Sequence, residues 1–272
     1  MVIFTPDSGY SNQLRAKLKL YYPQVLRWIP KLHTPMAMDF LRRWPTLPAL
    51  QRARRETIRK FFHRHNSRRE ERIELRLEEI PKAVVATTDA AVVDSSVALV
   101  RALLELLAVL QTQVAAYDRR IAETAAIHPE LPIFDSLPGA GPVMRPRLMA
   151  AMGTRRERFA EAAELSAYTG IAPVQQRSGQ SVWIHFRWAC PKFPRQTFHE
   201  WASHSIAFSA WAKAFYDQQI DRHKGHHAAV RALAFKWQRI LFRCWKDHQP
   251  YDEAKYLEAL RRRGSPLAAA LS

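Results

Sequence analysis

The sequence predicts a mainly α-helical protein, in which a helical bundle and a coiled coil precede a domain that contains a helix-hairpin-helix. Short apolar-periodic segments broken by prolines fill the first 82 residues. An apolar repeat at alternating steps of three and four follows over residues 94–127, and a glycine-rich turn stands between helical patterns at residues 138–153. With 272 residues, of which 47% are hydrophobic, the chain can build about two domains with buried cores.

The charge balance indicates a polyanionic partner. The chain has 42 Lys and Arg against 25 Asp and Glu, for a formal net charge of +17. Such an excess is typical of proteins that bind nucleic acid. A basic protein of the membrane surface would concentrate these residues on one amphipathic helix, whereas here they run through the whole chain. We therefore expect DNA or RNA as the partner.

Cysteine content and hydropathy exclude several other classes of protein. Cys190 and Cys244 are the only cysteines, too few for a disulfide framework or a cysteine-based metal site, and they fit a reducing cytoplasm. Residues 97–114 are the most apolar stretch, but Arg101 and Glu105 interrupt it. It therefore falls short of the about 18 uncharged residues that a membrane span needs, and we expect no membrane partner.

Residues 1–82 are predicted to form several short helices. The prolines that separate them are Pro23, Pro30, Pro35, Pro45 and Pro48. The later part, RARRETIRKFFHRHNSRREERIE, mixes arginines with Phe61 and Phe62. Two interpretations stay open for it: a solvated helix face, or a surface whose arginines follow backbone phosphates.

Residues 83–130 are predicted to form coiled-coil helices. The seam consists of Val100, Leu103, Leu107, Leu110, Val114, Tyr117 and Ile121. This stripe can pack within the chain against the preceding RIELRLEEI segment, or against a second copy in a homo-oligomer. Both interpretations remain open.

The segment LPGAGPVMRPRLMAAMG carries the prediction of a binding site. Gly139 and Gly141 lack a side chain, so the backbone can turn tightly and approach a ligand. A helix beginning near residue 142 would point free N–H groups at the same place, which suits a phosphate, and Arg145 and Arg147 would add charge. Such a backbone contact to DNA or RNA is independent of base sequence. The alternative is an ordinary corner between two helices. Pro146 would remove a hydrogen bond unless the second helix begins late.

The next segment contains two serines, Ser178 and Ser181, in what we expect to be an exposed polar loop after Pro173. A serine in such a loop is by itself typical of a turn. His185 and His199 are near in sequence, but sequence order alone does not establish a catalytic triad.

The last hundred residues are rich in tryptophan and histidine. We expect most of the tryptophans to be core residues: Trp183, Trp188, Trp201, Trp211, Trp237 and Trp245. Two helices are predicted, over about residues 196–220 and 226–247, with Gly225 between them. His223, His226 and His227 have no carboxylate partner at a suitable spacing, so phosphate contact or solvent exposure is preferred to a metal site. Tyr168 and Cys244 are expected to be packed.

Three blocks together resemble a known family. They are LPGAGPVMRPRLMAAMG, FAEAAELSAYTGIAPVQQRSGQS and AFYDQQIDRHKGHHAAVRALAFKWQRILFRCWKDHQPYD. Their order and spacing are similar to those of the carboxy-terminal transposase domain of the insertion-sequence-110 family, and the likeness extends over about residues 11–256. The resemblance implies a DNA recombinase that excises and inserts its own element, guided by a structured bridge RNA.

The resemblance also implies roles for individual residues. Ser178 matches the catalytic serine of the family, and Ser181 is the second choice. Arg177 and Arg187 would stabilise charge on the transferring phosphoryl group. With Gly139, Gly141, Arg145 and Arg147, they make up the expected DNA-binding set.

The family's amino-terminal RuvC-like domain is implied to hold Mg²⁺ on four carboxylates, and this chain departs from that pattern. Glu70, Glu71, Glu78 and Glu79 are better interpreted as helix-surface charges than as metal ligands. We therefore expect no metal or other cofactor in this chain, although Mg²⁺ is expected for full-length members. The chain looks like a copy truncated at its amino terminus, which would be active only if a RuvC-like metal site were supplied elsewhere.

The resulting domain prediction has four parts. Residues 1–82 are a helical remnant of the RuvC-like domain, 83–130 are coiled-coil helices, 131–260 are the transposase domain with the helix-hairpin-helix, and 261–272 are a tail. Two other functions stay open: a non-catalytic nucleic-acid-binding remnant, and a factor that holds branched DNA without breaking it.

Overall fold

The computed structural model describes residues 9–185 and 187–269. Residues 1–8, the start of the predicted first domain, and 270–272, the end of the predicted tail, lie outside them. The described chain divides into an amino-terminal unit, residues 9–117, and a carboxy-terminal unit, residues 118–269. Helices dominate both, and the described residues contain one small two-stranded sheet. The prediction of a mainly α-helical protein is confirmed.

The amino-terminal unit consists of short helices. They are α1 (Tyr10–Tyr21), α2 (Val25–Trp28), α3 (Pro35–Arg43), α4 (Leu47–Gln51), α5 (Arg55–Arg64), α6 (Glu70–Lys82) and the first part of α7 (Ala90–Ala126). Two of the prolines lie at the start of helices. Thr34 caps α3 and Pro35 is its first residue. Thr46 caps α4 and Pro48 is its second residue.

The core of this unit explains much of the arginine-rich segment. Phe61 and Phe62 of α5 are buried against Phe40 of α3, with ring centroids 5.6 and 6.1 Å from it. Arg55 and Arg59 lie outside that core and both pair with Glu74 of α6. Hydrogen bonds from Arg59 and Arg55 lower the pKa of the Glu74 carboxyl. The solvated-face interpretation therefore accounts for α5.

Helix α7 follows the predicted seam as one helix of 37 residues. Val100, Leu103 and Leu107 are buried in the same core as Ile73, Leu77 and Ile80 of α6. Beyond Leu107 no residue of α7 is buried, and Tyr117 is 63% exposed. Packing within the chain thus accounts for the first half of the seam, and a second copy remains a prediction for the second half. The division between the two units falls inside this helix, whereas the sequence predicted a separate segment over residues 83–130.

The carboxy-terminal unit is arranged around a long central helix. In chain order it contains α8 (Leu131–Asp135), α9 (Met144–Met152), α10 (Ala162–Tyr168), β1 (Val174–Ser178), β2 (Ser181–His185), α11 (Lys192–Ser205), α12 (Ala210–Asp221), α13 (His226–Lys246), α14 (Glu253–Arg262) and α15 (Pro266–Ala269). Helix α13 packs against α10, α11 and α12. The predicted helix over residues 196–220 is two helices, because Ser209 caps a new helix with its side chain.

Four tryptophans fill this core as predicted: Trp201, Trp211, Trp237 and Trp245 are fully buried. Each indole N–H donates a hydrogen bond, to the Pro138 carbonyl, the Tyr251 hydroxyl, the Ser205 hydroxyl and the Gly153 carbonyl, respectively. Trp183 and Trp188, which are 70% and 82% exposed, are the exceptions to a prediction that concerned most of the tryptophans. Trp183 lies on a sheet of only two strands, and its side chain, which stands perpendicular to that sheet, is largely uncovered. Over the described residues, no helix is long and apolar enough to cross a bilayer.

Candidate functional site

The glycine turn, residues 137–143, connects α8 to α9. Helix α9 begins at Met144, later than the sequence predicted, and the Gly141 carbonyl accepts hydrogen bonds from the N–H groups of Met144 and Arg145 at 2.9 and 3.1 Å. Pro146 therefore falls in the first turn of α9. Because N–H groups there have no partner within the helix, Pro146 costs no intrahelical hydrogen bond.

The two glycines of this turn have different surroundings. Gly139 has a φ of +74°, and a Cβ atom there would lie 2.9 Å from the backbone of His204 and Ser205 at the end of α11. Its missing side chain thus allows a close approach to α11, and Gly139 also borders the cleft that Gly141 lines. A Cβ atom on Gly141 would meet nothing within 4 Å. Gly141 lines a cleft of about 560 Å³ together with the exposed Val143 and Phe208. The predicted ligand approach remains possible sterically at Gly141.

The two predicted arginines of this region also differ. Arg145 is partly exposed, and it binds the Ala140 carbonyl through Nε at 2.8 Å and Asp135 through Nη2 at 2.7 Å. Arg147 is 4% exposed and its Nη1 lies 2.5 Å from Glu200 of α11. Its other donors, Nε and Nη2, are buried without a hydrogen-bond partner in the described residues. Arg147 is therefore almost entirely buried, although it borders the same cleft as Gly141.

Glu200 compensates the buried charge of Arg147. Burial raises the pKa of the Glu200 carboxyl, but hydrogen bonds from Gln196 and Arg147 outweigh that effect and hold the pKa below its ordinary value. The carboxyl is thus ionised at neutral pH, and the pair joins α9 to α11.

The predicted serine loop is a β-hairpin. In this serine hairpin, residues 174–185, β1 and β2 pair antiparallel, with Val174 opposite His185 and Ser178 opposite Ser181. Only Gly179 and Gln180 connect them, and Gly179 has a φ of +59°. Two-residue hairpin turns need such a left-handed residue, and glycine adopts it without strain. Two short strands around this glycine were the signal that would have predicted the hairpin.

The pairing assigns each side chain to a face of the serine hairpin. Residues directly opposite each other share a face, and neighbours along a strand alternate. Ser178, Ser181, Gln176 and Trp183 therefore lie on one face, which we call the serine face. Arg177 lies opposite Val182 on the other face. A cleft of about 360 Å³ at the tip is lined by these five residues Gln176, Arg177, Ser178, Ser181 and Trp183.

The structure does not bring Arg187 or His185 to the serines. His185 pairs with Val174 at the base of the hairpin, about 13 Å along the strand from Ser181. Arg187 follows that base and is half-buried. Of the predicted charge-stabilising residues, only Arg177 therefore borders the cleft of Ser178.

A basic groove, which we had not predicted as a unit, lies between α13 and α14. Its cations are Lys236, Arg239, Arg243, Lys255 and Arg263, around a cleft of about 790 Å³. The steps of three and four between the three residues of α13 place them on one face, so helical periodicity was the available signal. The Lys236 ammonium lies 4.5 Å over the Phe215 ring, and burial lowers the pKa of that lysine.

The histidines cluster near the start of α13. His226 and His227 occupy its first two positions, and the His199 ring of α11 lies 5.7 Å from that of His227. The Tyr216 hydroxyl is 2.8 Å from Nδ1 of His226. Burial lowers the pKa of His199. Within the described residues, no group of three or more His, Cys, Asp or Glu side chains is arranged to hold a metal ion.

The glutamates of α6 do not fit the four-carboxylate Mg²⁺ site that the resemblance implies. Glu70 pairs with His63 at 2.6 Å, and Glu79 binds Arg27 at 2.5 Å and the Trp28 indole N–H at 2.8 Å. The hydrogen bond from Trp28 lowers the pKa of Glu79. These carboxylates are engaged in ion pairs on the helix surface, as the sequence indicated.

Comparison with known proteins connects this geometry to a family. The model of the family described as "Transposase IS116/IS110/IS902 family" matches residues 131–217. That range includes both the glycine turn and the serine hairpin.

Curated relatives match most of the chain. A Streptomyces coelicolor protein named as the mini-circle transposase for IS117 is 28% identical over 90% of this chain and 60% of its own length. A 43.6 kDa protein of insertion element IS110, also from Streptomyces coelicolor, is 26% identical over 89% of this chain and 60% of its own length. A 42 kDa protein of insertion element IS900 from Mycobacterium paratuberculosis is 30% identical over 53% of this chain and 37% of its own length. The chain thus spans about three fifths of the length of the first two relatives, and its residues 131–217 match the transposase domain of the IS116/IS110/IS902 family.

Proposed function

We propose that this chain cleaves and joins DNA strands for an insertion sequence, with Ser178 as the nucleophile. The observation that carries the proposal is the placement of Ser178, paired with Ser181, at the exposed tip of a hairpin inside the family-matched region. From residue 165 to residue 199 the sequence has no Asp or Glu, whereas it has Arg177, Arg187, Lys192 and Arg195. A phosphodiester can therefore approach these serines without meeting an acidic neighbour in sequence.

The chemistry would proceed through a covalent link between protein and DNA. Oγ of Ser178 attacks the phosphorus and gives its proton to a base, while the bond from phosphorus to a deoxyribose oxygen breaks and that oxygen takes up a proton. Reversal by a hydroxyl of another strand transfers the DNA end and restores the serine. Arg177, which borders the same cleft, would stabilise the negative charge on the transferring phosphoryl group.

The acid and base for this step would come from outside the cleft. Among the described residues, its lining includes no carboxylate and no imidazole. We propose that the missing groups, with the Mg²⁺ expected for full-length members, are contributed by another protein segment or another copy.

The same proposal assigns phosphate contacts to the carboxy-terminal unit. Gly141 and Arg145 border the open cleft of the glycine turn, which fits a helix-hairpin-helix contact to a DNA backbone. The basic groove offers a second polyanion-binding surface, and structured RNA is an additional proposed partner.

The exposed half of α7 supports a homo-oligomer as part of this proposal. Leu110, Val114, Tyr117 and Ile121 continue the apolar repeat, but none of them is buried. A second copy of this helix could cover them as in a coiled coil.

The experiment compares Ser178→Ala with the matched variant Ser181→Ala. Each full chain is incubated with labelled DNA from the ends of its element, RNA, Mg²⁺ and a full-length family member whose own catalytic serine is replaced by alanine, and adducts resistant to denaturing detergent are measured. We expect adducts with the unchanged chain and with Ser181→Ala, and none with Ser178→Ala. An adduct that persists in Ser178→Ala would overturn the assignment of the nucleophile.

A second candidate function is non-catalytic binding of nucleic acid. The lack of a carboxylate or imidazole around the serine cleft favours it. Salt-sensitive DNA binding without any adduct, even when a full-length family member is added, would support this function over strand transfer.

A further inference from the structure

We propose that Trp183 is a stacking platform that binds an unpaired base of a single nucleic-acid strand on the serine face. The proposal rests on the nucleic-acid partner of the proposed function, but not on cleavage by Ser178. It assigns an unpaired nucleotide as the ligand of a side chain that is not part of the core.

The exposure of Trp183 is the first observation. Its side chain is 70% exposed, whereas Trp201, Trp211, Trp237 and Trp245 are fully buried. An exposed indole presents a flat aromatic surface on which a nucleic-acid base can stack. Trp183 contributes little to holding the fold, so a binding role accounts for it better than packing.

The neighbours of Trp183 on the serine face match the parts of a nucleotide. Gln176 is directly opposite Trp183, and its side-chain amide can both donate and accept hydrogen bonds at a base edge. The Ser178–Ser181 pair lies two residues farther along the strands, a displacement of about 7 Å. A base stacked on Trp183 would therefore place its own backbone phosphate near the serine hydroxyls.

The two faces of the serine hairpin distinguish nucleic acid from a second copy of the chain. The serine face surrounds one aromatic ring with polar groups, whereas the opposite face carries Val182 and Ile184, which are 42% and 71% exposed, beside Gln175 and Arg177. The aliphatic side chains that a protein partner could cover therefore lie mainly on the face opposite Trp183. The absence of Asp and Glu from residue 165 to residue 199 favours a polyanionic strand at the serine face.

The bound base must be unpaired. In a duplex each base is already stacked on its neighbours, so a ring on the protein surface can stack only on a base that has left the helix or belongs to a single strand. Recombination intermediates contain such strands, and so does a structured RNA.

The experiment measures binding of a fluorescein-labelled 12-nucleotide dT strand to the full chain by anisotropy at fixed salt. Trp183→Ala is expected to weaken binding by about 5- to 100-fold, which corresponds to the loss of stacking on one base. Trp183→Phe should stay within about 3-fold, since it keeps an aromatic face. Ile184→Ala is the matched control, because Ile184 is equally exposed on the opposite face, and it should change binding less than about 2-fold.

A second probe separates stacking from phosphate contact. The probe is a strand of the same length and charge whose nucleotides are all abasic. The affinity of the unchanged chain should be lower for this strand than for dT, by about the same factor by which Trp183→Ala lowers affinity for dT. Trp183→Ala itself should bind the two strands with nearly equal affinity. Affinity for a blunt 12-base-pair duplex should be unchanged by the substitution.

Several results would overturn the proposal. If Trp183→Ala weakened binding of the duplex and of the single strand equally, or weakened binding of neither, stacking would be excluded. A change in oligomeric state by sedimentation with unchanged affinity for dT would identify a protein interface instead. Failure is distinguishable from failure of the proposed function, because adduct formation by Ser178 is measured separately and Ser178→Ala should retain affinity for dT.

Discussion

The glycine turn and the serine hairpin lie in the same family-matched region, but the fold holds them very differently. In the glycine turn, the Trp201 indole N–H donates a hydrogen bond to the Pro138 carbonyl. Gly139 lies against the backbone of α11, and Leu137 and Ala140 are buried. In the serine hairpin, every residue from Gln175 to Ile184 is exposed. One segment is part of the core, and the other projects into solvent.

This difference teaches which substitutions report on function. A residue in the glycine turn contributes to folding and can also contact a ligand. Loss of binding after its substitution can therefore result from a lost contact or from a destabilised fold. A residue in the serine hairpin contributes little beyond its own two-stranded ladder. Four predictions test that contrast, from the largest expected effect to the smallest.

Gly139→Ala should have the largest effect on stability. The added Cβ atom would lie 2.9 Å from the backbone of α11, in a left-handed conformation with φ +74°. We expect the free energy of unfolding to fall by about 2–4 kcal/mol, from backbone strain and overpacking together. Urea denaturation followed by circular dichroism measures this change.

Gly141→Ala is the matched control, because its Cβ atom meets nothing within 4 Å. It should change stability by less than about 0.5 kcal/mol. If both variants are equally stable, the turn is not held against α11 as described.

Glu200→Gln should rank second. It leaves the Arg147 guanidinium, 4% exposed, without a charged partner. A buried charge that loses its partner destabilises a fold strongly, and because Glu200 itself is partly exposed we expect about 2–3 kcal/mol. The melting temperature and urea midpoint should both decrease.

Asp135→Asn provides the comparison for the Glu200 variant. The Arg145–Asp135 pair is much more exposed, so its loss should cost no more than about 1 kcal/mol. Equal effects of the two variants would mean that Arg147 is hydrated in solution and available to a ligand.

The same contrast explains what the sequence could predict. The repeat in α7 and the prolines at α3 and α4 act locally, so periodicity and capping were sufficient to predict those helices. The burial of Arg147 could not be predicted, because Glu200 lies 53 positions away in sequence and only the packing of α9 on α11 brings them together. The contact of Gly139 with the backbone of α11 could not be predicted either, because α11 is far from it in sequence.

The serine hairpin shows a different limit of the sequence. The resemblance to a family indicated Ser178, whereas the local pattern of two short strands around Gly179 indicates the hairpin itself. The exposure of Trp183 could not be predicted, since tryptophan is usually buried and its exposure depends on which elements pack against the serine hairpin.

The third prediction is a pH dependence of stability that arises from His199. This residue lies in α11, the helix against which the glycine turn packs. Burial lowers the pKa of His199 below its ordinary value of 6.5, although a hydrogen bond with the His227 backbone opposes this, and His226, His227 and Arg231 add repulsion. The unfolded chain therefore takes up the proton first as pH falls. The contribution of His199 to the free energy of unfolding is complete above pH 6.5 and decreases below it.

The measurement is urea denaturation at pH 7.5 and pH 5.5. His199→Gln should flatten the decrease between the two pH values, because glutamine does not titrate. A decrease of the same size in the variant would show that other groups produce the pH dependence.

Arg177→Ala should have the smallest effect on stability and a clear effect on binding. Arg177 is exposed on the serine hairpin, and no ion pair or cation–π contact joins it to another described residue, so we expect the free energy of unfolding to change by less than about 0.5 kcal/mol. If it contacts a phosphate, the slope of log affinity against log salt for DNA should decrease in magnitude by about 1. A destabilisation above about 1 kcal/mol would mean that the hairpin packs against the rest of the protein in solution. In that case its exposed serines and tryptophan would be structural as well, and the contrast with the glycine turn would disappear.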